Sequence, residues 1–61
     1  MWIINRGSAT NTDQLSWMGI HNRMVYGSFP DGTESIIAME RDFEKIIQAI
    51  KNNDKYVEVS I

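Results

Sequence analysis

Residues 23–40 read RMVYGSFPDGTESIIAME, and the triplet Pro30-Asp31-Gly32 in their middle leaves the backbone little choice. Proline fixes φ at the value that the second position of a type I turn needs. Aspartate suits the third position, and glycine takes the left-handed conformation that follows. The triplet predicts a β-hairpin with a three-residue loop closed by a glycine bulge. A two-residue Asp-Gly turn would instead force Pro30 into a paired strand position. In the favoured register Phe29 faces Thr33, Tyr26 faces Ile36 and Val25 faces Ile37. One face then carries Val25, Phe29, Ile37 and Met39, and the other carries Met24, Tyr26, Ile36 and Ala38. Neither face is polar, whereas a hairpin with one solvated face alternates. Both faces are expected to be covered.

The remaining segments sort by period. Trp2-Ile3-Ile4 reads as a first strand, with no disordered leader before it. Residues 6–12 (RGSATNT) cluster Gly, Ser, Thr and Asn and read as loop, and Asn11-Thr12-Asp13 reads as a tight polar turn. Residues 15–21 (LSWMGIH) read as a second strand, again with large apolar groups on both sides. Asn22 suits a left-handed turn before the hairpin, which supplies strands three and four. From Asp42 the period changes: Phe43, Ile46, Ile47 and Ile50 recur at three and four residues, the mark of an amphipathic helix. Asp42 suits the N-cap, Glu44 and Lys51 suit the two ends of the dipole, and Asn52-Asn53 suits a left-handed stop. Residues 56–61 (YVEVSI) alternate cleanly as a fifth strand. Strand directions counted through these connections make the fifth antiparallel to the first, in the order 5-1-2-3-4; pairing with another chain is the alternative.

The 61 residues make one domain, 1–61. A chain this size buries only roughly 60% of its unfolded surface and holds on the order of 3–9 kcal/mol of stability. Small domains often need a staple. With no cysteine there is no disulfide, and one histidine without a thiolate gives no zinc site. The net charge of −2, spread along the chain, offers no basic block for nucleic acid or anionic lipid. No apolar run approaches the roughly 20 residues of a membrane span, and no signal peptide opens the chain. Cytoplasmic residence is the expectation.

Five strands make a sheet roughly 19 Å wide, and one helix about 10–12 Å across covers one face incompletely. The other face, with Trp2, Trp17, Met24 and Tyr26 as its candidate oligomer or partner residues, exceeds what a monomer usually exposes. The simplest cover is a second copy, sheet on sheet, about a twofold axis; the alternative is strong twist and curl that lets the small sheet partly wrap its own core.

Little in the chain points to chemistry. His21 sits at a turn with no nucleophile or acid spaced to use it, and Gly7-Ser8-Ala9 lacks the flanking glycine of a nucleophile elbow. The glycines fit no phosphate loop or dinucleotide fingerprint. Asn11 and Asp13 begin something like a calcium loop, but Leu15 stands where a third oxygen ligand belongs. Glu34, Glu40, Asp42 and Glu44 are the densest acidic group and read as a solvated strand end and helix start. Trp2, Trp17, Tyr26, Phe29 and Tyr56 would serve as stacking platforms for single-stranded nucleic acid, but the charge balance assigns them to core and contact. The reading is therefore not an enzyme, with no catalytic residue, cofactor or metal.

Two resemblances accompany it. Trp2-Ile3-Ile4-Asn5, Asp13-Gln14-Leu15, residues 29–32, the helix from Asp42 to Lys51 and Tyr56-Val57 together resemble a loose group of short bacterial and phage proteins of no assigned activity. That likeness spans nearly the whole chain and carries no site residue. Met1-Trp2-Ile3-Ile4-Asn5-Arg6 and Met39-Glu40-Arg41-Asp42 are similar to parts of carbon storage regulator proteins, intertwined dimers that bind messenger RNA. This second likeness implies RNA contacts at Arg6 and Arg41. Gly7 departs from it where a second basic residue belongs, its Asn-Ala-Pro segment is missing, and a strand follows the helix. The expectation is an α+β domain: a twisted, mainly antiparallel five-strand sheet in the order strand–strand–strand–strand–helix–strand, with one helix on a face. Its function is protein–protein contact as a homo-oligomer, a dimer favoured, in an accessory or regulatory role with a protein partner. A small dimeric RNA-binding regulator is the alternative, and nucleic acid otherwise is set aside.

Overall fold

A computed structural model describes residues 1–59. The hairpin expected at Pro30-Asp31-Gly32 is present: the Phe29 N–H donates to the Thr33 carbonyl at 2.8 Å, and the Gly32 N–H to the Phe29 carbonyl at 2.9 Å. Gly32 has φ +91°, closing the loop as a glycine bulge. The flanking strands are β4 (Met24–Ser28) and β5 (Glu34–Met39), with β3 (Trp17–His21) on the far side of β4. The β3–β4 turn is tighter than expected. His21 pairs with Met24, and both Asn22 (φ 56°) and Arg23 (φ 68°) are left-handed. That is the twist a two-residue hairpin turn demands.

One register expectation fails in an informative way. Tyr26 faces Ile36, but Val25 faces Ala38, because Ile37 is the extra residue of a β-bulge. The bulge turns two successive side chains, Ile37 and Ala38, into the core. Ala38 thereby joins Val25 inside, while Tyr26 and Ile36 stay on the outer face.

The fold is α+β with one helix, but its strands form two three-stranded sheets, not one sheet of five. The first sheet has the order β2-β1-β6, with β1 at Trp2–Asn5, β2 at Ser8–Asn11 and β6 at Tyr56–Glu58; the second is β3-β4-β5. Two expectations are corrected here. The polar segment after Arg6 is not all loop: Asn5 pairs with Ser8 across a two-residue turn at Arg6-Gly7, where Gly7 has φ +80°. Its small polar residues suit an edge strand that is exposed at Ser8 and Ala9 and half-buried at Thr10 and Asn11. The last strand pairs parallel to β1, Trp2 with Tyr56 and Ile4 with Glu58. The unforeseen β2 and the division into two sheets undo the count of directions. The Val59 N–H continues the ladder to the Ile4 carbonyl at 2.9 Å; Ser60 and Ile61 lie outside the described residues.

The helix α1 (Phe43–Lys51) follows a 3-10 turn at Glu40–Asp42. Asp42 occupies the N-cap position without a side-chain capping hydrogen bond. The C-terminus closes as a Schellman motif. Asn53 is left-handed at φ 61°, the Asp54 N–H donates to the Ala49 carbonyl, and the Asn53 N–H donates to the Ile50 carbonyl. Ile46 and Ala49 drop into a core shared by both sheets: Ile3, Val57 and Val59 from the first, Val25, Ile37 and Ala38 from the second. A hydrogen bond from Asn5 Nδ2 to the Ile37 carbonyl, 3.3 Å, ties β1 to the bulge in β5. Among the described residues, no helix is long and apolar enough to cross a membrane.

Candidate functional site

Each sheet turns one face to the shared core and the other away from it. In the first sheet the strand alternation sends Ile3 inward and Trp2 and Ile4 outward. Trp2 lies between Asn11 and Tyr56, and Ile4 between Ala9 and Glu58. Trp2 is 47% exposed and its cross-strand neighbour Tyr56 60%. This face is apolar apart from Asn11 and Glu58.

The second sheet presents a more varied surface. Its outer rows are Trp17-Ser28-Glu34, Gly19-Tyr26-Ile36 and His21-Met24-Met39. The Trp17 indole lies over Gly19: a Cβ there would come within 2.6 Å of Trp17 Cη2. Only glycine lets the ring settle across the sheet at that point. The Tyr26 ring meets His21 edge-on, with centroids 6.0 Å apart at 62°. Ser28 Oγ donates to Glu34 Oε2 at 3.2 Å and steadies that carboxylate beside the rings. Trp17, His21, Tyr26 and Glu34 line an open cleft of about 580 Å³. Ile20, which points to the other side of β3, completes the lining, so the cleft reaches round the strand's edge. Among the described residues β3 is an edge strand, paired only to β4.

A second cleft, of about 420 Å³, lies at the start of the same strand. Trp17, Met18 and Ile50 give it apolar walls, and Asp13 and Asp54 give it carboxylates. Asp13 is placed by a 3-10 turn at Thr12–Gln14, which Asn11 caps by accepting the Asp13 N–H at 3.0 Å. Thr12 donates both its N–H (2.8 Å) and its hydroxyl (3.1 Å) to the Met1 carbonyl, and the amino group of Met1 lies 3.7 Å from Asp13. Asp54 is placed by the left-handed helix stop. Among the described residues, neither lining includes a lysine or an arginine.

The residues picked from sequence are divided by this arrangement. Trp17, Met24 and Tyr26 share the second outer face, whereas Trp2 belongs to the first. Arg6 sits in the β1–β2 turn and Arg41 in the 3-10 turn before the helix. The Glu40 N–H donates to the Arg23 carbonyl, so Arg23 and the residue before Arg41 meet through their backbones, and Arg6 follows the Asn5 that binds β5. Glu34 is separated from Glu40, Asp42 and Glu44 by the length of β5, roughly 20 Å. His21 ends β3, exposed, against Tyr26. Phe29 is half-buried at the hairpin loop, so the aromatic residues form no continuous platform. Among the described residues, no three His, Asp or Glu side chains are grouped to hold a metal.

Sequence reasoning missed Gly19, Ile20, Glu34 and the Asp13–Asp54 pair as parts of a site. The first could have been found. Trp17 and Gly19 are two apart on a strand and so share a face, which leaves the indole an empty position to lie on. The pairing of Asp13 with Asp54 depends on the parallel placement of β6, which alternation does not reveal. Compared with known proteins, the chain matches no family model, no curated protein and no solved structure.

Proposed function

We propose that the protein acts by protein–protein contact as a homo-oligomer, a dimer being the favoured form, in an accessory or regulatory role. The observation that supports this most is the outer face of the first sheet, where Trp2, Ile4 and Tyr56 stand side by side and exposed. A largely apolar sheet face with one carboxylate, Glu58, among its strand residues can meet its own copy about a twofold axis. The second sheet, with its mixed rings and carboxylate, suits a partner of different chemistry. Sedimentation equilibrium at micromolar concentration tests self-association. The expected mass is a multiple of 7.0 kDa, returning to 7.0 kDa on Trp2→Ser or Tyr56→Ser. A wild-type mass of 7.0 kDa at every concentration overturns it.

A second reading is a small dimeric RNA-binding regulator. It is favoured by the placement of Arg23 and Arg41 on connections at the same end of the β4–β5 pair, joined by the backbone bond from Glu40 to Arg23, with Arg6 next to the Asn5 that bonds to β5. Glu40 and Asp42 interleave with them and weigh against it. Binding to a mixed RNA pool that weakens with salt supports this reading, and no binding at low salt removes it.

A further inference from the structure

We propose that the free edge of β3 takes up an extended polypeptide segment as an added strand, and that the cleft bounded by Trp17, Tyr26 and Glu34 seats a lysine or arginine side chain of that segment. This rests on the reading of the chain as a protein-contact module, and not on its self-association.

The argument begins at the edge itself. β3 reads Trp-Met-Gly-Ile-His and carries no lysine, aspartate, glutamate or proline, the residues that commonly block strand addition. Ile20 is 41% exposed on its inner side and Trp17 52% on its outer side, so both sides of the edge offer apolar surface to an incoming chain. A strand laid beside β3 would send successive side chains to opposite sides. Clefts lie on both: the Trp17–Tyr26–Glu34 cleft on the outer side and reaching round the edge, and the Asp13–Asp54 cleft at the start of the strand. Backbone pairing with pockets for alternate side chains is how sheet edges recognise peptides.

Charge decides what those pockets accept. The outer cleft contains the Glu34 carboxylate with no lysine or arginine in its lining, whereas in the second cleft the Met1 ammonium already lies 3.7 Å from Asp13. The indole of Trp17 borders both, and indole faces attract ammonium and guanidinium groups. In the outer cleft Glu34 stands in the same cross-strand row as Trp17, with its carboxylate held by Ser28. A long cationic side chain can lay its methylenes on the rings and bring its charge to Glu34. Glutamate at the same position would meet a like charge.

The test is a titration of the ¹⁵N-labelled chain with a short acetylated and amidated peptide that alternates threonine and valine around one central lysine. Peptides with norleucine or glutamate in place of the lysine serve as comparisons. The expected result is amide shifts centred on β3 and affinity for the lysine peptide about 3- to 30-fold above the norleucine peptide. Glu34→Gln and Trp17→Leu should each reduce that preference toward unity, with dispersed spectra showing that the variants fold. Ile20→Lys, which puts a charge on the edge but leaves the outer row intact, should abolish binding of all three peptides. Equal affinity for the lysine, norleucine and glutamate peptides, shifts that map away from β3, or no binding at millimolar peptide overturns the proposal. A self-associating chain that binds none of them leaves the homo-oligomer reading standing and removes this one. A 7.0 kDa particle that binds the lysine peptide does the reverse.

Discussion

Gly32 and Asp31 show how much of the hairpin is settled one residue at a time. Gly32 has open space around it, so a methyl there meets nothing, yet its φ of +91° penalises any L side chain. Gly32→Ala should therefore destabilise the fold by about 1–2 kcal/mol, measured as a lowered urea midpoint with unchanged slope. Asp31 accepts the Thr33 hydroxyl at 2.7 Å and the Thr33 N–H at 2.9 Å, and these bonds hold its carboxyl below the usual carboxylate range. A carboxylate so depressed contributes fully above its unfolded pKa and loses that contribution as pH falls through the folded one. The loop's share of stability should fade below about pH 4, and Asp31→Asn should flatten that limb of the urea midpoint against pH. Gly19→Ala is a different case: it has to lift the Trp17 indole off the sheet, so the tryptophan emission should change. The Pro30-Asp31-Gly32 loop was legible because its residues act on their own backbone. Gly19 was not, because its role lies in a neighbour's ring.

Among the elements, the helix was the most legible and β2 the least. Phe43, Ile46, Ile47 and Ile50 mark a stripe whatever they pack on; Ile46 of that stripe is buried, Ile50 is left exposed, and Ala49, outside the stripe, is the second buried residue of the helix. Ile46→Ala should cost about 2–5 kcal/mol, a large part of what a domain this size holds. Ile50→Gln, at a position 43% exposed, should stay within about 0.5 kcal/mol. Chemical denaturation of the two variants side by side measures that contrast. Ser8-Ala9-Thr10-Asn11 gave no strand signal, because an edge strand needs no apolar alternation when its partner β1 supplies the buried residue, Ile3. The bulge at Ile37 was equally hidden: two adjacent apolar residues in a strand read as one inside and one outside, and only the pairing register shows that both are inside.

At the scale of the molecule, about 27 × 22 × 22 Å, two small sheets and a helix close on one core, and the outer faces carry exposed apolar residues. The sequence showed large apolar residues on both faces of its strands, but assigned them to a single sheet. Two sheets and α1 sharing one core cover the inner faces and leave Trp2 and Tyr56 exposed on the first sheet, Trp17 and Ile36 on the second. The seam between them includes the Asn5 to Ile37 hydrogen bond. Asn5→Ala should cost about 0.5–1.5 kcal/mol and speed hydrogen exchange in β1 and β5 together, which exchange mass spectrometry can read.

The parallel pairing of β1 with β6 has a consequence in time. The β1–β2 hairpin and the β3–β4–β5 meander join neighbours and can form early, whereas Trp2 meets Tyr56 only by closing a loop of nearly the whole chain. On a ribosome, the strand made first must wait beside an empty place until Val57 emerges to fill it. Until then Ile3 lacks that neighbour, and the edge of β1 that β6 will cover stays unpaired in the nascent chain.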